Sequence, residues 1–319
     1  MGESYPTRAE RLKEVTDKLE AGITEVFEGE QFADYLRTMS KFHRYSFGNI
    51  ILISMQFPGA SQVAGFQDWK NKFGRNVKKG EKGIRILAPC VFEAVEEQEK
   101  PDPLSGQTMK ERRRVSAKRF KVVTVFDVSQ TEGKELPEIV SVLTGDVEQY
   151  EHVTGALKEL SPVPVVFEDF PEEGYGYFSR EEGRVVVRPG MSQAQTLKTM
   201  IHEIAHAKLH SGPDEDIPST FEGEKDRSAR EVEAESVAYV VCQHFGVDTS
   251  DYTFGYVAEW SKGRELAELK ASLDTIRATA AGLIDGIEGK NREVSPKKRL
   301  QPAPKRAPKK AKGKAAHVR

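Results

Sequence analysis

Apolar positions recur along this chain with two different periods, and the changes of period divide it into elements. Leu12, Val15, Leu19, Ile23 and Val26 follow helical spacing, predicting an amphipathic helix over about 8–27. Helices are expected near 30–45, 46–56 and 65–73. Segments 84–95 and 119–128 read as paired strands. Between them, the charged stretch 96–118 contains Pro101, Gly106 and Arg112–Arg114, which predicts an exposed loop. Thr131–Pro137 is read as a link between domains. A helix near 145–160, short strands at 163–167, 176–178 and 184–188, helices at about 192–210 and 228–245, and a terminal helix over 263–288 complete the pattern. No internal repeat interrupts it.

The helix at 192–210 has clear boundaries. Ser192 followed by Gln195 is a capping-box signature, and Ser211-Gly212-Pro213 is a stop signal. Its apolar stripe runs through Leu197, Ile201, Ile204 and Ala205. Within it, residues 202–206 read H-E-I-A-H. His202 and His206 lie four residues apart, so both imidazoles project from one helical face. Glu203, rotated about 100° from His202, reaches a water held between them without occupying the metal itself. This is the zincin arrangement, with Zn²⁺ on two histidines, a glutamate base and a third protein ligand from elsewhere. Two solvated histidines on a surface helix give the same letters, but the apolar embedding M-I-H-E-I-A-H-A argues against exposure.

The third ligand is expected from the next helix. Glu231 and Glu235 fall on one face and Glu233 nearly opposite. One of the pair would bind the metal while the other accepts a hydrogen bond from a ligand histidine. Val232, Ala234, Val237, Ala238, Val240 and Val241 make most of this helix apolar, so its carboxylates need partners. His210 lies about 12 Å along the axis from His202, too far to share one ion. Both His210 and His244 read as helix C-terminal histidines favoured by the macrodipole. Tyr239, Tyr252 and Tyr256 are equal candidates for a donor to the oxyanion.

His202-E-I-A-His206 followed by Glu231-V-E-A-Glu235 resembles the E-x-x-A-[D/N] pattern of Glu-type zincins, particularly ImmA/IrrE-like metallopeptidases. That resemblance implies Glu231 as the ligand. It implies Glu235, which stands where the pattern has Asp or Asn, as the carboxylate behind the histidines or as the alternative ligand. In zincins a strand running into the metal helix lies at the sheet edge that pairs with an extended peptide. The strand at 184–188 is expected at such an edge, whether it binds substrate or only covers the helix.

Charge distribution adds a second theme. Residues 41–90 hold nine Lys/Arg against two acids, Asp68 and Glu81. The Gly-punctuated loop Arg75–Lys82, with Lys78, Lys79 and the nearby Arg85, is suited to a phosphate backbone or to being a solvated turn. Phe66, Trp69 and Phe73 follow helical spacing, which favours a core stripe over a stacking ladder. Asn49-I-I-L-I-S-M-Q-F-Pro58, Val63-A-G-F-Q-D-Trp69 and Gly74–Pro89 resemble the N-terminal domain of ArdC-type antirestriction proteins. The resemblance implies single-stranded-DNA binding, a following zincin domain, and protection of mobile-element DNA in a bacterial cytoplasm.

At 319 residues and 38% hydrophobic content, two globular cores are expected. The fold class is therefore α+β in two domains. A helical and β-hairpin nucleic-acid-binding domain spans 1–130, with a link over 131–144. A zincin-like domain spans 145–288, its small sheet packed on the H-E-x-x-H helix. Two cysteines, Cys90 and Cys242, imply no disulfide framework and a reducing cytoplasm. No apolar run approaches bilayer length and no signal sequence opens the chain, so no membrane association is expected. Net charge is −2, yet residues 290–319 carry twelve Lys/Arg and one acid. This Pro-, Ala- and Lys-rich tail over 289–319 is expected to be disordered, either as a solubilising tail or as a nonspecific nucleic-acid contact. Two functions remain open: a zinc metalloendopeptidase with a DNA-binding domain and an unidentified protein or peptide substrate, or a DNA-protecting protein whose zinc site is structural or dispensable.

Overall fold

The computed structural model describes residues 7–27, 31–101, 108–136, 147–171, 173–210, 222–252 and 254–294. Helix α1 (Arg8–Val26) opens on a capping box. The Thr7 hydroxyl accepts from the Glu10 N–H at 3.2 Å, and the Glu10 carboxylate accepts from the Thr7 N–H at 2.6 Å. Its apolar stripe buries Val15, Ile23 and Val26 against α2 (Gln31–Phe42) and α3 (Phe47–Gln56). Ser46 caps α3, and Ile50 to Ile53 are buried on consecutive positions around its circumference. A helix apolar on all sides belongs at the centre, and α3 contacts α1, α2 and the sheet.

That sheet is antiparallel, in the order β1 (Val63–Gly65), β4 (Thr108–Asp127), β3 (Ile84–Pro101), which leaves β3 at an edge. Two amides of α3 cover the edge. Asn49 donates to the Leu87 carbonyl at 2.8 Å and accepts from the Leu87 N–H at 2.9 Å. Gln56 does the same for Arg85, at 2.8 and 3.0 Å. Arg85 and Leu87 are two residues apart, so the side chains mimic a missing strand at alternate positions. Asp127, only 2% exposed, accepts the N–H groups of Ser61, Gln62 and Ser129 and thereby pins the turns on both sides.

Two expectations need correction here. The charged stretch 96–118 is not a loop: β3 and β4 continue through it in unbroken register, leaving only 102–107 outside the described residues. Register sets Glu96 opposite Arg113, Glu97 opposite Arg112 and Glu99 opposite Lys110. Strand pairing is invisible when each strand is read alone, so the segment reads there as a loop. The start of the expected link also carries structure. Thr131–Gly133 is strand β5, paired with β2 (Arg75–Val77) beyond the short helix α4 (Phe66–Asn71). Residues 137–146 lie outside the described residues.

The second half begins with α5 (Val147–Leu160) and a sheet ordered β6 (Val165–Phe167), β8 (Arg184–Val187), β7 (Gly176–Ser179). Strand β8 is parallel to β6 and antiparallel to β7, with Val185, Val186 and Val187 buried. It is therefore central, not the expected edge; the edge beside the following helix is β7. Helix α6 (Gln193–Leu209) packs on this sheet and on α7 (Glu222–His244), and α9 (Leu266–Val294) packs on α7 and α5 after the short α8 (Val257–Ser261). Tail residues 295–319 lie outside the described residues.

The halves share one continuous core. Helix α2 packs on α7, Phe27 lies 5.5 Å from Trp260, and Phe32 meets Phe254 edge-on at 5.4 Å. His244 faces Ser40 O at 2.8 Å and Glu288 at 3.1 Å, a tertiary role in place of the expected macrodipole one.

Candidate metal centre

Helix α6 starts with half of the expected capping box. Ser192 accepts the Gln195 N–H at 3.2 Å, but the Gln195 amide turns along the helix to Thr199 at 3.3 Å. Three turns on, His202 and His206 face α7 with their Nε2 atoms 3.0 Å apart and their rings nearly perpendicular. Glu231 Oε2 lies 3.7 Å from His202 Nε2 and 3.5 Å from His206 Nε2. One ligand atom from each of the three falls within 4.8 Å of the others, the one such cluster among the described residues. Tetrahedral zinc with bonds of about 2.0–2.1 Å separates its ligand atoms by roughly 3.3 Å. This triangle has that size, so the donor set fits the ion.

Glu203 is 9% exposed, on the sheet side of α6. Burial pushes its carboxyl up to about 7, with nearby Glu231 adding to the rise while His206 and a backbone hydrogen bond from Phe178 oppose it. Burial, helped by neighbouring His206 and opposed by Glu231, pushes His202 down to about 4. An open cleft of about 510 Å³ reaches His202 and Glu203, with Tyr175 and Gly176 on one wall and Tyr252 on the other. The approach of β7 depends on Gly176. A Cβ there would lie 2.6 Å from Thr199 Cγ2, 2.7 Å from the Val186 carbonyl oxygen and 3.5 Å from Glu203 Cγ. Sequence reasoning passed over this residue; a glycine within a strand pattern was its signal.

Glu235 accepts the Tyr256 hydroxyl, not a histidine as expected. Burial raises its carboxyl, against the Tyr256 bond. Among the three tyrosines, Tyr256 thus stands at Glu235, Tyr252 lines the cleft and Tyr239 is buried behind it. Glu233 points to α9, where Ser272 donates to it at 2.7 Å, and its carboxylate lies 3.8 Å from His210. Lys198, one turn before His202, forms a 2.8 Å ion pair with Asp251 at the cleft wall; neither was singled out from sequence.

The basic segment is distributed differently. Arg75 donates to Thr131 Oγ1 at 2.7 Å, Thr131 O at 2.9 Å and Lys134 O at 2.6 Å. Lys78 reaches Ser129 O at 2.9 Å, and Arg85 is bidentate to Glu14 at 2.8 and 2.9 Å. Lys79 and Lys82 are exposed. The aromatic stripe also divides. Trp69 is buried and donates to the Phe126 carbonyl at 2.8 Å, whereas Phe66 and Phe73 are 51% and 39% exposed, against the expectation of core. Helix α4 ends at Asn71, so Phe73 leaves the helical stripe, and of the two on the helix only Trp69 faces inward.

These features define an α+β protein whose second half presents a His-His-Glu constellation between two helices and a small sheet. Residues 6–126 match the N-terminal domain of the anti-restriction factor ArdC, and residues 159–259 match an IrrE N-terminal-like domain of a peptidase family. The two matches follow one another along the chain, an ArdC-like N-terminal segment and then an IrrE-like one. It is 30% identical to an uncharacterized protein of Bacillus anthracis over 89% of this chain and 52% of that protein, spanning about half its length. Two structures of the antirestriction ArdC protein from the R388 plasmid are similar. The metal-free one has a TM-score of 0.45 at 19% identity, covering 77% of this chain and 86% of that one. The Mn(II)-bound one has 0.49 at 18% identity, covering 89% and 98%. No described helix is long and apolar enough to cross a membrane.

Proposed function

We propose that the chain is a zinc-dependent metallopeptidase carrying a single-stranded-DNA-binding domain, acting in antirestriction or in the regulation of mobile elements in a bacterial cytoplasm. The observation that carries this reading is the meeting of His202, His206 and Glu231 beside a buried Glu203 at an open cleft. A site that only bound metal would have no use for a buried carboxylate beside its ligands and open to the cleft.

In this reading His202, His206 and Glu231 hold Zn²⁺. Zinc so placed supplies Lewis acidity toward a peptide carbonyl near neutral pH. Glu203 takes the proton of the attacking water and passes it to the leaving amine. Tyr256 stands beside the site, and its single hydroxyl proton, held by Glu235 at rest, turns to the developing oxyanion when that bond is released. The free edge of β7 aligns an extended peptide along the cleft. In the N-terminal half, Lys79 and Lys82 neutralise phosphates while Phe66, Phe73 and Phe120, the last 54% exposed, offer platforms for bases.

The test is elemental analysis beside peptide hydrolysis. One zinc per chain is expected, lost in His206→Ala and kept in Glu203→Gln. Hydrolysis in Glu203→Gln should fall about 10²–10⁴-fold. Zinc binding that survives His206→Ala, or full hydrolysis in Glu203→Gln, overturns the assignment.

A further inference from the structure

Building on the peptidase reading, we propose that the substrate cleft continues past Tyr252 into a second cavity walled by α2, so that the N-terminal half completes the peptide site. Tyr252 lines the cleft at the metal centre and also a neighbouring cavity of about 530 Å³. That second cavity is bounded by Ala33 and Arg37 of α2, Gln243 of α7 and the loop 246–250. Nothing in the spacing of the metal motif requires a contribution from α2. It arises because α2 packs on α7, the helix that also carries Glu231.

The wall between the cavities is fixed. Tyr252 meets Tyr239 edge-on at 5.5 Å and stacks on Phe254 at 6.2 Å, with Lys198 Nζ 5.6 Å from its ring centre. The loop beyond it is equally determined. Gly246 takes φ 70°, Gln243 donates to the Thr249 hydroxyl, and Asp248 accepts the Ser250 N–H at 3.0 Å. A rigid aromatic shelf with a depression on each side suits a polypeptide lying across it more than a compact small molecule.

Charge specifies the occupant further. Each depression contains one cation already matched by a carboxylate: Lys198 by Asp251 at 2.8 Å, and Arg37 by Asp34 at 2.5 Å. Beyond those pairs, Asp248 lies exposed in the second depression. A chain crossing Tyr252 therefore meets an exposed aspartate, Asp248, on the α2 side. The preferred substrate is an extended polypeptide segment with a lysine or arginine on the α2 side of the cut. A short peptide confined to the first depression would not reach it.

The test uses the full chain, loaded with zinc and carrying Glu203→Gln, to capture peptides from a Glu-C-digested bacterial proteome. Bound peptides, identified by mass spectrometry, should be enriched at least about fivefold in Lys/Arg-containing sequences of more than eight residues. Adding Asp248→Lys, on an exposed loop, should abolish the charge preference, and Ala33→Trp, which fills the second depression, should abolish the length preference. Unchanged zinc content shows that each variant is folded. Capture indifferent to length and charge, capture unaltered by either substitution, or no capture overturns the extended site. If capture behaves as expected while the chain with Glu203 restored cleaves none of those peptides, the extended site stands and the hydrolytic reading fails.

Discussion

Helix α6 and the segment Arg75–Arg85 both announce their chemistry by residue type, yet the tertiary structure treats them in opposite ways. On α6, spacing alone puts His202 and His206 on one face, and packing against α7 brings Glu231 to within 3.7 Å of both. In the basic segment, Arg75, Lys78 and Arg85 donate to Thr131, Ser129 and Glu14, while Lys79 and Lys82 stand exposed beside an equally exposed Lys78. A ligand set is defined by a few atoms meeting at one point, and helical geometry nearly guarantees two of them. A polyanion surface consists of whatever cations remain after internal partners are served. Counting basic residues therefore overstates such a surface, whereas the metal motif states its site directly.

The largest effect that would break this contrast lies in the aromatic stripe beside the basic segment. Trp69→Ala should lower unfolding free energy by about 3–5 kcal/mol, as removal of a buried aromatic does. Phe66→Ala and Phe73→Ala should leave denaturation midpoints nearly in place and weaken oligothymidine binding by about 1–3 kcal/mol per stacked base. Chemical denaturation and fluorescence anisotropy separate the two; a stable Trp69→Ala would show that the stripe is not divided.

The next test concerns the metal centre with its ion removed by chelation. The folded Glu203 carboxyl sits at about 7 against an ordinary 4.5, so its contribution to stability is fully present below 4.5 and is lost as pH rises through 7. At pH 8 the buried charge costs up to roughly 3 kcal/mol. Chelated Glu203→Gln should thus be more stable than the chelated parent at pH 8, with the gap closing near pH 4. His202, lowered to about 4, works in the opposite direction, losing stability as pH falls from 6.5. It is common to both proteins and cancels in the comparison. A gap independent of pH would place Glu203 in water.

The smallest effect separates free cations from committed ones. In chains ending at Val294, Lys79→Glu with Lys82→Glu should reduce the salt slope of single-stranded-DNA binding by about 1.4, at about 0.7 per phosphate contact. Stability should barely change. Arg75→Ala should do the reverse, costing about 1–3 kcal/mol as the carbonyls of Thr131 and Lys134 lose their donor. Equal loss of DNA binding in both would mean that Arg75 serves DNA as well as β5.

Legibility followed the range of the interactions. The helices α1, α6 and α9 were readable because their stripes and caps lie within a few residues of one another. The arm of β3 and β4 was not, because each strand alone is charged and only their pairing sets Glu96 against Arg113. Strand β8 was expected at an edge because it precedes α6, but strand order depends on β7 folding back onto it. Glu231 and Glu235 share a helical face, and only the approach of Tyr256 from the α8 turn separates their roles.

By itself, then, the sequence determined which helices form, that two histidines and a glutamate share the end of one of them, and that a carboxylate helix follows. Those are consequences of a 3.6-residue repeat and of apolar burial, which act locally. The tertiary structure decided which glutamate meets the histidines, which cations remain free and where the cleft runs. It also decided that α2 of the first half packs on the carboxylate helix α7 of the second, since contacts between residues far apart in the chain arise only when whole elements are packed together.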